Sequence, residues 1–388
     1  MTEIELDIEI RKHKHIVFGF DHYNTLGAVR SLGERGIKPV AIIRDTTGGS
    51  PVLVPNSKYL AKIHIVKTAK EGYDILMKHY SHEEFKPFIY SCDDFVESCL
   101  DQHYNDLKDI FFFFNGGEPD IITRYMDKDS ISQLAKECGC RVPKGEVLKK
   151  GDLPQSISYP VITKSIKSII GGWKNDVFIC NTEQELIEAY KKIKSDELLV
   201  EEFIEKKNEL CLDGFSLNHG KKVFIPFQTT YIRVADGKYG NYMTLEPFNN
   251  KEVYIQVRNI LQKAKFTGIF SVEFLIDKND DLWFLEVNFR NSTWSYAFTF
   301  GGVNMLYEWA LGTIGGVEFC AKKARTTSFT AMAEVNDFKD FVLTKKVSLW
   351  KWLRDVHSTD CFYFYNKHDK KPFWCYVVKH VKLFLKRK

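Results

Sequence analysis

Two strand-like runs joined by a short polar turn constrain this chain more than any other feature. Phe270-Ser271-Val272-Glu273-Phe274-Leu275-Ile276-Asp277 is followed by Lys278-Asn279-Asp280-Asp281 and then by Leu282-Trp283-Phe284-Leu285-Glu286-Val287-Asn288-Phe289-Arg290. β-Branched and aromatic residues flank four polar ones, which predicts a β-hairpin. Symmetric closure pairs Asp277 with Leu282, Leu275 with Phe284 and Glu273 with Glu286. Side chains alternate along a strand, so Glu286, Asn288 and Arg290 share one face, with Glu273 directly across from Glu286. Like charges opposed in a sheet are destabilising. A solvated face or a nearby Lys or Arg would relieve the repulsion. A hard divalent cation between the carboxylates would also relieve it, and carboxylate and amide oxygens suit Mg2+, which keeps waters and is completed by phosphates. The planar fork of Arg290 suits a phosphate or a carboxylate. A nucleotide-triphosphate site accounts for all four residues together.

The rest of the chain is organised around this hairpin. Its 388 residues predict about two to three domains at roughly 150 residues each. Lys+Arg 55 against Asp+Glu 51 is too balanced for nucleic-acid binding by bulk charge. No apolar window is long enough to span a membrane, and the acidic start Met1-Thr2-Glu3 has no apolar core of a secretory signal. Nine cysteines without a Cys-x-x-Cys pair suit a reducing cytoplasm better than a disulfide framework. His15–Phe20, a helical spacing through Leu26, Val29 and Leu32, and Pro39–Ile43 read as strand, helix, strand. Phe88-Ile89-Tyr90 and Ile110–Phe114 are expected to add strands to the same sheet. Gly19 and Gly27 do not make G-x-G-x-x-G, so the layout is Rossmann-like without a dinucleotide fingerprint. Thr182, with Glu185 three residues on, predicts a capped helix through Tyr190.

Upstream of the hairpin, Pro160-Val161-Ile162-Thr163-Lys164 is an apolar strand ending in Lys, followed by a polar loop containing Gly171-Gly172. Such a loop offers N–H groups to phosphates, and Lys164 a point charge; an ordinary turn is the alternative. Lys128, in Met126-Asp127-Lys128-Asp129, reads by itself as a surface Lys. Val200-Glu201-Glu202-Phe203-Ile204 is an apolar strand broken by two acids, with Glu209 just beyond. Its backbone could read an adenine ring and Glu209 could hold ribose hydroxyls, or the acids simply face water. Arg233, in a polar, Gly-broken stretch running to Tyr242, is a candidate substrate contact, with a surface hairpin loop as the alternative.

In this order the pieces resemble the ATP-grasp superfamily over residues 15 to 315. The most specific parts are Gly268–Phe274 and Phe284–Arg290; Val161–Lys164 with the Gly-Gly loop, and Val200–Ile204, add to them. The stretch with Ser57-Lys58-Tyr59 looks like the domain that precedes ATP-grasp in such enzymes. The resemblance implies an α/β fold with α+β elements: a Rossmann-like pre-ATP-grasp domain over 1–120, an ATP-grasp domain of two subdomains clamping ATP over 121–318, and an aromatic, basic extension over 319–388. It implies that Glu273, Glu286 and Asn288 hold Mg2+, with Mn2+ as a substitute, and that Lys128 and Lys164 touch the ATP phosphates. Glu201, Glu202, Phe203 and Ile204 would line the adenine pocket and Glu209 would take the ribose. Arg290 would stabilise the transferred phosphoryl group or bind the substrate carboxylate, sharing catalysis with Lys164. One departure is the loop Ser165–Trp173, bulkier than the usual Gly/Ser-rich lid.

Within the superfamily the chain looks most like carboxylate–amine ligases of the D-aspartate ligase kind. That implies phosphorylation of a small acid, such as an amino acid, by ATP, then displacement of phosphate by an amine to leave an amide and ADP. Cell-wall or capsule precursor synthesis would suit such a product. A carboxylate kinase, a carboxylase and a catalytically degenerate nucleotide-binding scaffold stay open as alternatives, as does homodimerisation. The end, residues 370–388, has no acids. Lys379, Lys382 and Lys386 fall on one helical face and Val377, Val378, Val381 and Leu385 on another. A helix of this kind either lies on an anionic membrane, at its inner face, or docks on the body.

Overall fold

The computed structural model describes residues 2–46, 48–166, 176–234, 239–316 and 324–386. Strands β1 (His15–Phe20), β2 (Val40–Arg44), β3 (Lys62–Val66) and β4 (Phe88–Ser91) form a parallel sheet in the order β3-β2-β1-β4. β1 can be apolar throughout because both faces are covered. Val17 joins one buried cluster with Leu26 and Val29, while Ile16 and Phe18 join another with Leu76 and Val96. The Phe111–Phe114 run alternates in the same way, Phe111 and Phe113 on one side and Phe112 and Phe114 on the other. It makes only one bridge, Phe112 to Phe88, so it flanks β4 rather than adding the expected strand.

A second sheet pairs β5 (Gly145–Lys149), β6 (Val161–Ser165), β7 (Ile179–Cys180) and β8 (Glu197–Glu202) in the order β5-β8-β6-β7. The helix Glu183–Tyr190 covers it, burying Leu186 beside Val161, Leu198 and Val200. Thr182 caps that helix by accepting the Glu185 N–H, and the Glu185 carboxylate reaches back to Asn181 N–H at 2.7 Å.

The third sheet comprises β9 (Lys206–Leu217), β10 (Lys222–Phe224), β11 (Phe227–Arg233), β12 (Tyr242–Pro247), β13 (Gly268–Asp277), β14 (Leu282–Asn288), β15 (Phe329–Met332) and β16 (Cys361–Phe362). Its order is β14-β13-β9-β11-β12-β15-β16, with β10 also on β9. The extension over 319–388 thus joins this sheet. β15 pairs with β12, β16 pairs with β15, and the segment is pinned to the first sheet's helices. Arg30 is fully buried and bonds the Asp369 carboxylate and the carbonyls of Tyr363 and Phe364. The C-terminal helix Lys371–Lys386 packs its first half on the body, Tyr376 lying 5.1 Å from Phe364 and Lys379 donating to Ser50 O at 2.9 Å. Among the described residues no helix is long and apolar enough to cross a membrane.

Glu334 is buried in this junction and accepts N–H groups from Phe364 and Tyr365 at 3.3 and 2.5 Å. Burial pushes its carboxyl up to about 7, against those N–H groups and Arg30, which pull it down. A carboxyl raised above its unfolded value contributes stability that is complete below the unfolded pKa and lost as pH rises through the folded one. Asp213, raised to about 6 by burial, acts in the same sense. The melting temperature is therefore expected to fall between about pH 5 and about pH 8, and Glu334→Gln to flatten that profile. Thermal scans across the window check this; identical slopes for both proteins would reject it.

Candidate active site

The site is built on β13 and β14. Ser271 pairs with Asn288 and Glu273 with Glu286, as the alternation predicts. The tip differs: Ile276 pairs with Leu282 and Leu275 with Trp283, one residue out of the expected register. The cause is Asp277, whose carboxylate gathers the N–H groups of Asn279 and Asp281 and the Trp283 indole at 2.8, 3.0 and 3.1 Å. Asp280 takes a left-handed φ of 64°, so the turn uses five residues instead of four. A bulge after Phe284 restores the register before the two glutamates.

Glu273 is half-buried. Burial pushes its carboxyl well above the usual range, and the charges of Glu286 and Glu209 push it further. The Asn288 amide N–H group donates to Glu273 Oε1 at 3.0 Å and to Glu286 Oε1 at 3.2 Å. Arg290 donates to Asn288 Oδ1 at 2.9 Å and, through Nε, to Asp94 Oδ1 at 2.6 Å. Burial works against its charge, yet Asp94, Glu286 and Glu273 hold it firmly protonated. Lys128 opens the helix Lys128–Glu137 and is half-buried. Burial lowers its pKa, opposed by Glu286. The surface reading of Lys128 gives way to a cation facing the acidic pair.

These side chains line one cavity of about 350 Å³: Lys128, Glu209, Glu273, Glu286, Asn288 and Arg290, with His22, Tyr23, Asp94, Trp294 and Asn336 around them. His22 follows β1 and Asp94 follows β4, adjacent parallel strands where the chain order reverses. Ligand crevices form outside strand ends at such switch points. His22 and Asp94 escaped the sequence reading, although their position just beyond apolar strands was a usable signal. Burial drops the His22 imidazole to about 4, helped by the Arg290 charge, so the ring is neutral near pH 7.

Among the described residues, Glu209, Cys211 and Glu273 bring possible ligand atoms within 4.8 Å of one another. Burial pushes the Cys211 thiol well up, so it stays protonated and is a poor ligand for a hard cation. The carboxylates of Glu273 and Glu286 with the Asn288 amide are hard oxygen donors, and their mutual repulsion is what a divalent cation would neutralise. The donor set fits Mg2+.

Lys164, Glu201 and Glu202 lie on the second sheet, and Phe203 and Ile204 just beyond its end, rather than on the cavity wall. Lys164 pairs with Glu201, and both charges act on Lys128, so they stand at its edge. The Glu202 carboxylate accepts Lys144 N–H at 2.8 Å. The N–H groups of Glu202 and Phe203 go to the carbonyls of Lys144 and Pro160, which leaves Ile204 as the next N–H along. Glu209 pairs with Lys206 at 2.8 Å. The Gly171-Gly172 loop lies outside the described residues, as does the stretch 235–238 beyond Val234.

Arg233 is not brought to the cavity. Its guanidinium is held by Asp337 and Asp355, across more than a hundred residues of chain, and stacks 4.9 Å from the Tyr242 ring. It ties β11 to the C-terminal segment instead of contacting substrate. Arg233→Ala is thus expected to destabilise the fold by about 3 kcal/mol in urea unfolding, by leaving the fully buried Asp337 carboxylate without its cation. The KM for the acid should stay within about twofold, since only groups touching substrate set uniform binding. A KM rise without loss of stability would restore the substrate role.

Residues 133–293 match the ATP-grasp domain. The chain is 24% identical over 249 residues to D-aspartate ligase of Enterococcus faecium, covering 59% of each chain. It is 30% identical over 173 residues to N5-carboxyaminoimidazole ribonucleotide synthase of Staphylococcus aureus, covering 42% of this chain and 43% of that one. The chain thus spans less than two thirds of these relatives' length. Its fold is shared with L-amino acid ligase from Bacillus licheniformis (TM-score 0.61, 13% identity, 82% of this chain and 79% of that one). It is shared also with the biotin carboxylase domain of Hydrogenobacter thermophilus 2-oxoglutarate carboxylase, solved with MgADP and bicarbonate (TM-score 0.61, 18% identity, 82% and 73%). Fold, site and sequence agree on the class of domain: residues 133–293 are an ATP-grasp domain. Its relatives include ATP-grasp enzymes of the carboxylate–amine ligase type, D-aspartate ligase among them.

Proposed function

We propose that the chain is an ADP-forming ligase that joins a small carboxylic acid, an amino acid or similar, to an amine through an acyl phosphate. The observation that carries this is the convergence of Glu273, Glu286 and Asn288 with Lys128 and Arg290 in one cavity at the switch point of the first sheet. Glu273, Glu286 and Asn288 would hold Mg2+, which when bound neutralises phosphate charge. Lys128 supplies a fixed charge to the phosphates, with the Lys164–Glu201 pair beside it. Ile204 offers the adenine ring its N–H. Arg290, positioned by Asp94, faces the oxygens that gain charge as the phosphoryl group moves to the acid. The amine then attacks the carbonyl carbon, phosphate leaves and the amine sheds a proton. A narrower form of the reading places the product among cell-wall or capsule precursors.

A carboxylase reading is favoured by the match to the ribonucleotide synthase, in which case bicarbonate is the acid. A screen of amino acids, bicarbonate and amines for ADP release separates the two. The ligase reading expects ADP release to need both an organic acid and an amine. Release that needs bicarbonate, or none that exceeds background with any pair, would count against it.

A further inference from the structure

We propose that the outward face of the helix Leu349–His357, with Leu343 in the turn leading to it, docks on an anionic membrane surface. The helix is seated by Trp352 and Asp355. The Trp352 indole donates to Asp337 at 3.0 Å, and the Asp355 carboxylate pairs with Arg233. With 3.6 residues per turn, Trp350 lies roughly 160° around the helix from Trp352, with Leu349 and Leu353 on the arc between them. Leu349, Trp350 and Leu353 are 49%, 80% and 43% exposed, and Leu343 is 65% exposed. An amphipathic helix on a water-soluble body turns its apolar stripe to the core. Here the stripe starts on the body, where Trp352 packs 5.0 Å from the Phe338 ring, and runs round to Trp350, the most exposed large apolar side chain among the described residues.

Charge selects the occupant. Lys345, Lys346, Lys351 and Arg354 lie in the same stretch against one acid, Asp355, which pairs with both Arg233 and Lys351 and leaves the stretch with an excess of positive charge. A second copy placed on a twofold axis would bring these cations against their own counterparts, an unfavourable match. An anionic lipid surface attracts them while Trp and Leu side chains enter the boundary between headgroups and acyl chains. The surface owes nothing to the catalytic reading, and it differs from the C-terminal helix, whose first half is packed on the body.

The test is co-sedimentation of the full-length protein with vesicles of phosphatidylglycerol and phosphatidylcholine, and with vesicles of phosphatidylcholine alone. Binding to the anionic vesicles is expected, weakening as salt rises. The double variant Trp350→Ser/Leu353→Ser should bind at least about tenfold more weakly at an unchanged melting temperature, because both side chains are already in water in the free protein. Absence of wild-type binding to the anionic vesicles overturns the proposal. Equal binding by the double variant does the same. A wild-type dimer in sedimentation equilibrium that the variant converts to monomer would also overturn it, by giving the face to a second copy.

Discussion

Glu286→Gln is expected to lower ADP formation by about three orders of magnitude while leaving the metal-free protein as stable as the wild type or more so. The two effects have one cause. Glu273 is half-buried, its charge disfavoured by burial and then by Glu286 and Glu209. In the absence of a cation, removing the Glu286 charge relieves that repulsion. With a cation, the same change removes a ligand and the focus of charge at the phosphates. Turnover measured beside the melting temperature in chelator reads both effects. A solvated, structural pair of acids would move neither, and a merely disruptive substitution would lower both. Loss of activity with lower stability in chelator would therefore argue against the assignment.

Arg30→Ala is expected to cost about 3–5 kcal/mol in urea unfolding. Its guanidinium is 0% exposed and bonds Asp369 at 3.1 Å and the carbonyls of Tyr363, Phe364 and Asp369 at 3.0 Å each. Asp369 in turn accepts the Ser57 hydroxyl at 2.8 Å and Lys58 N–H at 3.0 Å. Alanine at position 30 would strand a buried carboxylate and three carbonyls. Arg30→Ala/Asp369→Ala should cost clearly less than the sum of the single changes, because the stranded charge goes too. Additive losses would mean that the two groups are independently solvated. The junction matters for function because the same C-terminal segment brings Asn336 to the cavity wall.

The acidic pair was legible because a period of two decides which side chains share a face, and this survives small errors of register. The tip of the hairpin was not legible: a side-chain-capped five-residue turn and a compensating bulge leave no trace in the alternation. Lys128 could be drawn to the site only through family likeness, since a Lys opening a helix looks the same in water or in a cavity. Arg233 was misread because its partners, Asp337 and Asp355, are distant in the chain. The pairing of the C-terminal extension with the third sheet was not legible for a similar reason. β15 and β16 are four and two residues long, too short for a periodic signal, and their place is set by β12.

The central claim is that the Glu273–Glu286 pair holds a divalent cation which in turn grips a triphosphate. Titrating the protein with a non-hydrolysable ATP analogue, with Mg2+ and then with chelator, tests it most directly. Tight binding that requires Mg2+ and is lost in Glu286→Gln is the predicted result. Equal nucleotide affinity with and without Mg2+, or a folded protein that binds no nucleotide under either condition, would contradict it.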